Sequence, residues 1–129
     1  MPRTVEDMLA EANTAVPPIT PAEARALLAD PGTLVGDVRD APEVAASGKV
    51  RGAVNISRGM IEFRADPASP YHDAKLSPEK TVIVYCASGG RSALAGKALR
   101  ELGYRDVRNL GGFKGWVESG GEIEGAPVR

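Results

Sequence analysis

The 129-residue chain contains a single cysteine and no long run of apolar residues. Cys86 alone cannot form a disulfide within the chain, and it cannot supply a metal site built from several cysteines. No segment approaches the roughly 20 apolar residues that a membrane-spanning helix needs. The N-terminal segment has acidic residues where a signal peptide would have its apolar stretch. We therefore expect a cytoplasmic protein that does not enter a membrane.

The chain also lacks an excess of charge of one sign, because 16 basic residues stand against 17 acidic ones. The basic residues are scattered, which leaves no electrostatic footprint for nucleic acid or for an anionic membrane surface. Apolar residues make up 43% of the chain and charged residues 26%, as in an ordinary globular protein of one domain. Glycine (15) and proline (10) are frequent, so we expect short elements joined by tight turns.

The sequence pattern predicts strands that alternate with helices. Capping threonines precede two predicted helices near the N-terminus, at residues 5–15 and 21–29. Runs rich in β-branched residues predict strands, and apolar residues at helical spacing predict further helices. The strands are expected at residues 33–38, 52–56, 81–85 and 107–110, and the later helices at residues 41–46, 57–63, 92–102 and 113–116. This alternation favours an α/β fold with a parallel sheet covered on both faces, and residues from Gly120 onward are expected to form a surface strap or a frayed end.

The most reactive residue lies between the clearest strand and the clearest helix. Residues 86–92 read Cys-Ala-Ser-Gly-Gly-Arg-Ser, at the carboxyl end of a strand, where ligands bind in open α/β sheets. Gly89 and Gly90 allow the backbone to turn its N–H groups inward, and the following helix adds the positive end of its dipole. This anion cradle, with Arg91 as the cation, is expected to make Cys86 a nucleophilic thiolate near neutral pH. The alternative is a buried, unreactive cysteine followed by an ordinary glycine turn.

The chain resembles the rhodanese family of sulfurtransferases over about residues 20–127, and four segments carry the resemblance. They are Asp37-Val38-Arg39 with Glu43, residues 48–56 (Gly-Lys-Val-Arg-Gly-Ala-Val-Asn-Ile), the loop from Cys86 to Arg91, and Gly111-Gly112 with Trp116 and the later Gly125-Ala126-Pro127-Val128. In the second segment Lys49 stands where the family has histidine, and Arg51 where it has proline. Both departures lie away from the cysteine loop.

The resemblance implies a rhodanese-like fold and a sulfur-transfer reaction. The fold would be a parallel sheet of about five strands with helices on both faces, formed by residues 20–129, with residues 1–19 as a helical extension. Cys86 would attack the outer sulfur of a donor such as thiosulfate, become a persulfide, and pass the sulfur to cyanide, a thiol or a sulfur-accepting protein. This chemistry needs no cofactor and no metal. A lone thiol suits it, because the persulfide then leaves to an external acceptor.

The same resemblance assigns roles to the residues around the cysteine. The amides of five loop residues would hold the persulfide, namely Ala87, Ser88, Gly89, Gly90 and Arg91. Ser92 would complete the loop. Arg91 and Ser88 would also meet the anionic donor. Asp37 and Arg39 are expected either to tune the loop or to form a structural ion pair, and the structural role is favoured. Arg58, Met60 and Phe63 follow a strand end and are candidates for a rim that selects the acceptor.

Two alternative functions stay open beside this one. Phosphatases and arsenate reductases related to the family use a Cys-x5-Arg loop, whereas Cys86 and Arg91 enclose four residues. The shorter ring is cramped for a tetrahedral oxyanion, and no general acid stands out for a leaving group. The other alternative is a sulfur-delivery module whose partner is a protein and which turns over small donors poorly.

Overall fold

The computed structural model describes residues 2–125, so Ala126, Pro127 and Val128 of the predicted C-terminal signature lie outside the described residues. The helices are α1 (Val5–Ala15), α2 (Pro21–Leu28), α3 (Ala41–Ser47), α4 (Ile61–Ala65), α5 (Gly90–Glu101) and α6 (Phe113–Glu118), with a 3-10 turn at Arg58–Met60. The strands are β1 (Thr33–Asp37), β2 (Lys49–Val50), β3 (Val54–Asn55), β4 (Thr81–Cys86), β5 (Asp106–Gly112) and β6 (Ile123–Glu124). Among these described residues, no helix is long and apolar enough to cross a membrane.

The main sheet holds four parallel strands in the order β3-β1-β4-β5. The α/β class and the parallel sheet are confirmed, although about five strands were expected. A single parallel bridge between Pro18 and Asn109 extends the β5 edge. Pro17 and Pro18 lack the N–H groups that a longer ladder would need, which explains why no full strand forms there. β2 and β6 form a separate antiparallel pair, so the segment after Gly120 contains a strand.

Helices cover both faces of the main sheet, as expected. The side chains of β4 alternate between the faces. Val82, Val84 and Cys86 pack with residues of α4 and α5 and with Val16. Ile83 and Tyr85 pack on the opposite face with residues of α2 and α6. Because both faces are covered, β4 is apolar along its length, which is why the sequence marks this strand so clearly.

α1 packs against α5 on the same face of the sheet as the thiol. Thr4 caps α1 as predicted, since its hydroxyl oxygen accepts a hydrogen bond from the Asp7 amide (3.1 Å). Ala12 and Val16 are buried. A Cβ atom at Gly96 of α5 would lie 2.9 Å from a methyl carbon of Val16. A glycine at this position therefore allows α5 to approach the end of α1 closely.

Candidate active site

The thiol of Cys86 lies at the end of β4 and beside the start of α5. Gly89 has a φ of 101°, in the left-handed region that favours glycine. This turn brings the Gly89 amide to 3.0 Å from Sγ, and the Ser92 hydroxyl lies 3.5 Å from Sγ. Cys86 is 1% exposed, while Ala87 and Ser88 are exposed. The loop therefore holds the sulfur at the bottom of a turn whose outer residues face solvent.

The loop lowers the pKa of the Cys86 thiol. Burial raises this pKa, but hydrogen bonds from the Ser92 hydroxyl and from the amides of Ser92, Ser88 and Gly89 lower it by more. The Ser92 hydroxyl also lies 2.8 Å from the side-chain oxygen of Asn109 and 3.1 Å from the Gly89 carbonyl oxygen, so its single proton is shared among three acceptors. The Gly89 amide therefore makes the shorter hydrogen bond to the sulfur, and its proton is given to Sγ more fully than the proton of the Ser92 hydroxyl. A lowered pKa is the direction that the glycine turn predicts.

Asn109 of β5 fixes the loop from the neighbouring strand. The register between β4 and β5 shifts after Val84, and such a bulge changes the direction of nearby side chains. The Asn109 amide nitrogen donates to the Gly89 carbonyl (3.3 Å), and its oxygen accepts from the Gly111 amide (2.8 Å). Asn109 is not among the residues predicted from the sequence. β5 reads Asp-Val-Arg-Asn-Leu-Gly-Gly, so Asn109 is one of three polar residues in the strand and the sequence does not single it out.

Gly112, at the end of β5, lets the cysteine loop lie against that strand. A Cβ atom at this position would lie 2.7 Å from the Ala87 carbonyl oxygen, closer than real Cβ contacts. Gly111 beside it has a φ of 90°, which again favours glycine. The glycine pair noted in the sequence thus shapes the strand that supports the loop.

Arg91 is bound to Glu43, a residue for which no role was predicted. Its two terminal nitrogens donate to the two carboxylate oxygens of Glu43 at 2.7 and 2.8 Å. This hydrogen bonding, together with the Asp40 amide, lowers the pKa of Glu43 to about 2. The Arg91 pKa is raised, first by Glu43 and to a smaller extent by the charge on Cys86. Arg91 was expected to be the cation that lowers the Cys86 pKa, but its hydrogen bonds go to Glu43 and those to the sulfur come from Ser92 and the loop amides.

Asp37 and Arg39 form a buried ion pair next to the strand that carries the cysteine. The guanidinium donates to both Asp37 oxygens (2.7 Å at the shortest), and neither side chain is more than 4% exposed. Tyr85, the residue before Cys86, donates its hydroxyl to Asp37 (2.6 Å). The Arg39 guanidinium also stacks 4.5 Å from the centre of the Phe113 ring. The network ties β1 and α6 to the end of β4.

Lys49 and Arg51, the two departures from the family pattern, lie at the small antiparallel sheet. Lys49 donates to the Ala53 carbonyl (2.5 Å) and lies 4.0 Å from a Glu124 oxygen. Arg51 pairs with Glu122 at 2.6 Å. Both side chains therefore connect the β2 region with the β6 region and take no part in the cysteine loop.

Two named proteins are similar in sequence to parts of this chain. The chain is 38% identical over 78 residues to the thiosulfate sulfurtransferase PspE of Escherichia coli, covering 60% of this chain and 68% of that protein. It is 37% identical over 102 residues to the tRNA uridine(34) hydroxylase of Mesorhizobium japonicum, covering 78% of this chain. The chain spans 32% of the length of that hydroxylase, so the match concerns one part of a larger protein.

A solved structure matches nearly the whole fold. It is a protein of unknown function from Rhodopseudomonas palustris, described as a possible tyrosine phosphatase, with a TM-score of 0.89 and 38% identity over 96% of both chains. The family model of the rhodanese-like domain matches residues 20–119. This match covers most of the chain and includes the cysteine loop, β5 and the Asp37–Arg39 and Glu43–Arg91 pairs. The chain belongs to the rhodanese-like domain family.

Proposed function

We propose that the protein is a sulfurtransferase that moves sulfane sulfur from a small donor such as thiosulfate to cyanide or a thiol through a persulfide on Cys86. The observation that carries the proposal is the Cys86 thiol, which lies 3.0 Å from the Gly89 amide and has a lowered pKa. The thiolate is the attacking form in sulfur exchange. Membership of the rhodanese-like family and the likeness to a thiosulfate sulfurtransferase support the same class of reaction.

The proposed reaction has two displacements at sulfur. The Cys86 thiolate attacks the outer sulfur of thiosulfate, so a new S–S bond forms while the S–S bond of thiosulfate breaks and sulfite leaves with the bonding electron pair. Cyanide or a thiolate then attacks the outer sulfur of the persulfide. The new S–C or S–S bond forms as the enzyme S–S bond breaks, and the Cys86 thiolate is restored. No outside oxidant or reductant is consumed.

The residues of the cysteine loop would have different roles in this reaction. The amides from Ala87 to Arg91 would stabilise the charged outer sulfur, because N–H groups directed at developing charge act strongly in a site with little water. Arg91 and Ser88 would bind the anionic end of the donor, with Glu43 positioning the guanidinium and Ser92 completing the loop. Asp37 and Arg39 would hold the strand end in place. In this proposal residues 20–129 form the catalytic domain and residues 1–19 a helical extension.

A phosphatase is the less favoured reading of the same loop. Four residues separate Cys86 from Arg91, one fewer than in the Cys-x5-Arg loop of the phosphatases. A tetrahedral oxyanion needs donors at each equatorial oxygen. Hydrolysis of an aryl phosphate that depends on Cys86 would support the phosphatase and count against sulfur transfer.

Sulfur delivery to a protein is the second candidate. The observation that favours it is an exposed aromatic pair, Phe63 and Tyr71, which are 51% and 61% exposed and meet edge to face at 6.4 Å. Exposed aromatic residues are enriched where proteins meet. A stable complex with a sulfur-accepting protein, together with very poor turnover of small donors, would favour this candidate.

Steady-state formation of thiocyanate from thiosulfate and cyanide tests the proposed function. The wild-type protein should form thiocyanate, and Cys86→Ser should fall to the uncatalysed background because a hydroxyl does not replace the thiolate nucleophile. Thiocyanate formation that persists in Cys86→Ser would overturn the proposal. Circular dichroism of both proteins provides the control for folding.

A further inference from the structure

Two buried polar side chains, Ser92 of α5 and Asn109 of β5, lie next to the Cys86 thiol. Ser92 is 0% exposed and Asn109 is 6% exposed. The Ser92 hydroxyl lies 2.8 Å from Asn109 Oδ1, 3.1 Å from the Gly89 carbonyl oxygen and 3.5 Å from Cys86 Sγ. A hydroxyl has one proton to donate, so these acceptors compete for it. The reaction proposed above gives Asn109 no part in this competition.

Two backbone groups determine which atom of the Asn109 amide faces Ser92. The Gly111 amide, which can only donate, lies 2.8 Å from Oδ1. The Gly89 carbonyl, which can only accept, lies 3.3 Å from Nδ2. The opposite orientation of the side chain would bring two donors together at Gly111 and two acceptors together at Gly89. The side-chain oxygen of Asn109 is therefore the atom that faces the Ser92 hydroxyl.

The contact between Ser92 and Asn109 needs the Ser92 proton. Two oxygens 2.8 Å apart share a proton, and an amide oxygen has none of its own. The distance from the hydroxyl to Cys86 Sγ is longer, at 3.5 Å. The hydroxyl therefore donates mainly to Asn109 and only in part to the sulfur.

We propose that Asn109 is a positioning residue for the nucleophile: it competes with Cys86 Sγ for the proton of the Ser92 hydroxyl and keeps the thiolate less stabilised, and so more nucleophilic, than Ser92 alone would make it. The nucleophilicity of a thiolate falls as the pKa of its thiol falls, so a sulfur that receives less of this proton attacks faster. The effect on sulfur transfer rests on the proposed function, whereas the competition for the proton does not. Ser92 and Asn109 should therefore have opposite effects on the thiol.

The charged side chains around the loop are separate from this hydroxyl. On the elements near Cys86 they are Arg91 of α5, Asp40 and Glu43 at α3, Asp37 and Arg39 at β1, and Arg58 and Glu62 at the 3-10 turn and α4. In the part of the chain that the structure describes, none of them hydrogen-bonds to Ser92 or Asn109. A substitution at either residue leaves these charges in place, so a change in the titration of the thiol reports the hydroxyl proton.

The pH profile of Cys86 alkylation by iodoacetamide, measured in a double-mutant cycle, tests the proposal. Asn109→Leu removes the competing acceptor, Ser92→Ala removes the proton donor, and a third variant combines the two. Asn55→Leu is the matched control, because Asn55 ends the neighbouring strand β3 and donates to two backbone carbonyls at 3.0 and 2.8 Å. Thermal melting of each variant shows whether the fold is kept.

The expected result is a pair of opposite shifts. Asn109→Leu should move the alkylation profile to lower pH, and Ser92→Ala should move it to higher pH. In the Ser92→Ala background Asn109→Leu should have no effect, because no proton is left to redirect, and Asn55→Leu should behave as wild type. At a pH where the thiol is fully ionised, persulfide formation from thiosulfate should slow about threefold in Asn109→Leu for each pH unit of its shift.

Three outcomes for Asn109→Leu would overturn the proposal: no shift, a shift to higher pH, or an equal shift with and without Ser92. If Asn109→Leu does not fold, Asn109→Asp provides the test, because a carboxylate accepts the proton more strongly and adds a negative charge. Its profile should move to higher pH, and by more in the presence of Ser92 than in the Ser92→Ala background. Equal shifts in the two backgrounds would again overturn the proposal. Alkylation shifts as expected, in a protein that forms no persulfide, would overturn the proposed function alone.

Discussion

The tripeptide Asp-Val-Arg occurs twice in this chain, at two different edges of the parallel sheet. Asp37 ends β1 at the carboxyl edge, where the cysteine loop lies, and Asp106 begins β5 at the amino edge. In both copies the arginine binds the aspartate two residues before it. The copy at residues 37–39 is at most 4% exposed, whereas in the copy at 106–108 the arginine and the aspartate are 34% and 39% exposed.

The difference shows that position in the fold, and not the tripeptide itself, decides what an ion pair does. A buried pair that loses one partner leaves an uncompensated charge in the protein interior, while an exposed pair is solvated by water. The carboxyl edge also holds a third pair, Arg91 and Glu43, whose side chains are each 37% exposed. It is therefore accessible to ligands, unlike Asp37 and Arg39.

The largest expected difference between the edges is in stability. Asp37→Ala should lower the free energy of unfolding by about 3–5 kcal/mol, because Arg39 stays buried without its carboxylate. Asp106→Ala should lower it by less than about 1 kcal/mol, as for other exposed pairs. Urea denaturation of the two variants and the wild type measures both values. Equal losses in the two variants would show that burial does not distinguish the copies.

The next difference is in activity. Arg91→Ala should lower the rate with thiosulfate about tenfold to a hundredfold, as expected when a charged hydrogen bond of about 1.5–3 kcal/mol to the donor is lost. Arg108→Ala, the control at the amino edge, should keep the wild-type rate. Initial rates over a range of thiosulfate concentrations measure the effect. A full rate in Arg91→Ala would exclude contact between this guanidinium and the donor.

The smallest expected effect lies within the cysteine loop. Ser92→Ala removes a hydroxyl that helps to lower the pKa of Cys86, so this pKa should rise and less thiolate should be present at a given pH. The pH profile of alkylation by iodoacetamide should move to higher pH, and the lowering of the pKa should persist in part because the Gly89 amide still donates to the sulfur. If the pH profile of Ser92→Ala does not move, the backbone amides alone lower the pKa of Cys86.

Contiguous features of this protein could be predicted from the sequence, and features that join distant segments could not. β4, the cysteine loop and α5 follow one another, so their pattern is complete within one stretch of chain. The Arg91–Glu43 pair and the contact of Asn109 with Ser92 join residues 48 and 17 positions apart. β2 and β6 have two residues each, too few for a period-two pattern. The two Asp-Val-Arg copies look alike until the fold buries one of them.

The mass of the intact protein after a single exposure to thiosulfate shows whether Cys86 carries the transferred sulfur. Because the chain has one cysteine, a persulfide can form at one residue. We expect the wild-type protein to gain the mass of one sulfur atom on Cys86, and cyanide to remove this atom as thiocyanate. Cys86→Ser should gain nothing. A wild-type protein that gains no sulfur, or a Cys86→Ser variant that gains as much as the wild type, would contradict the account.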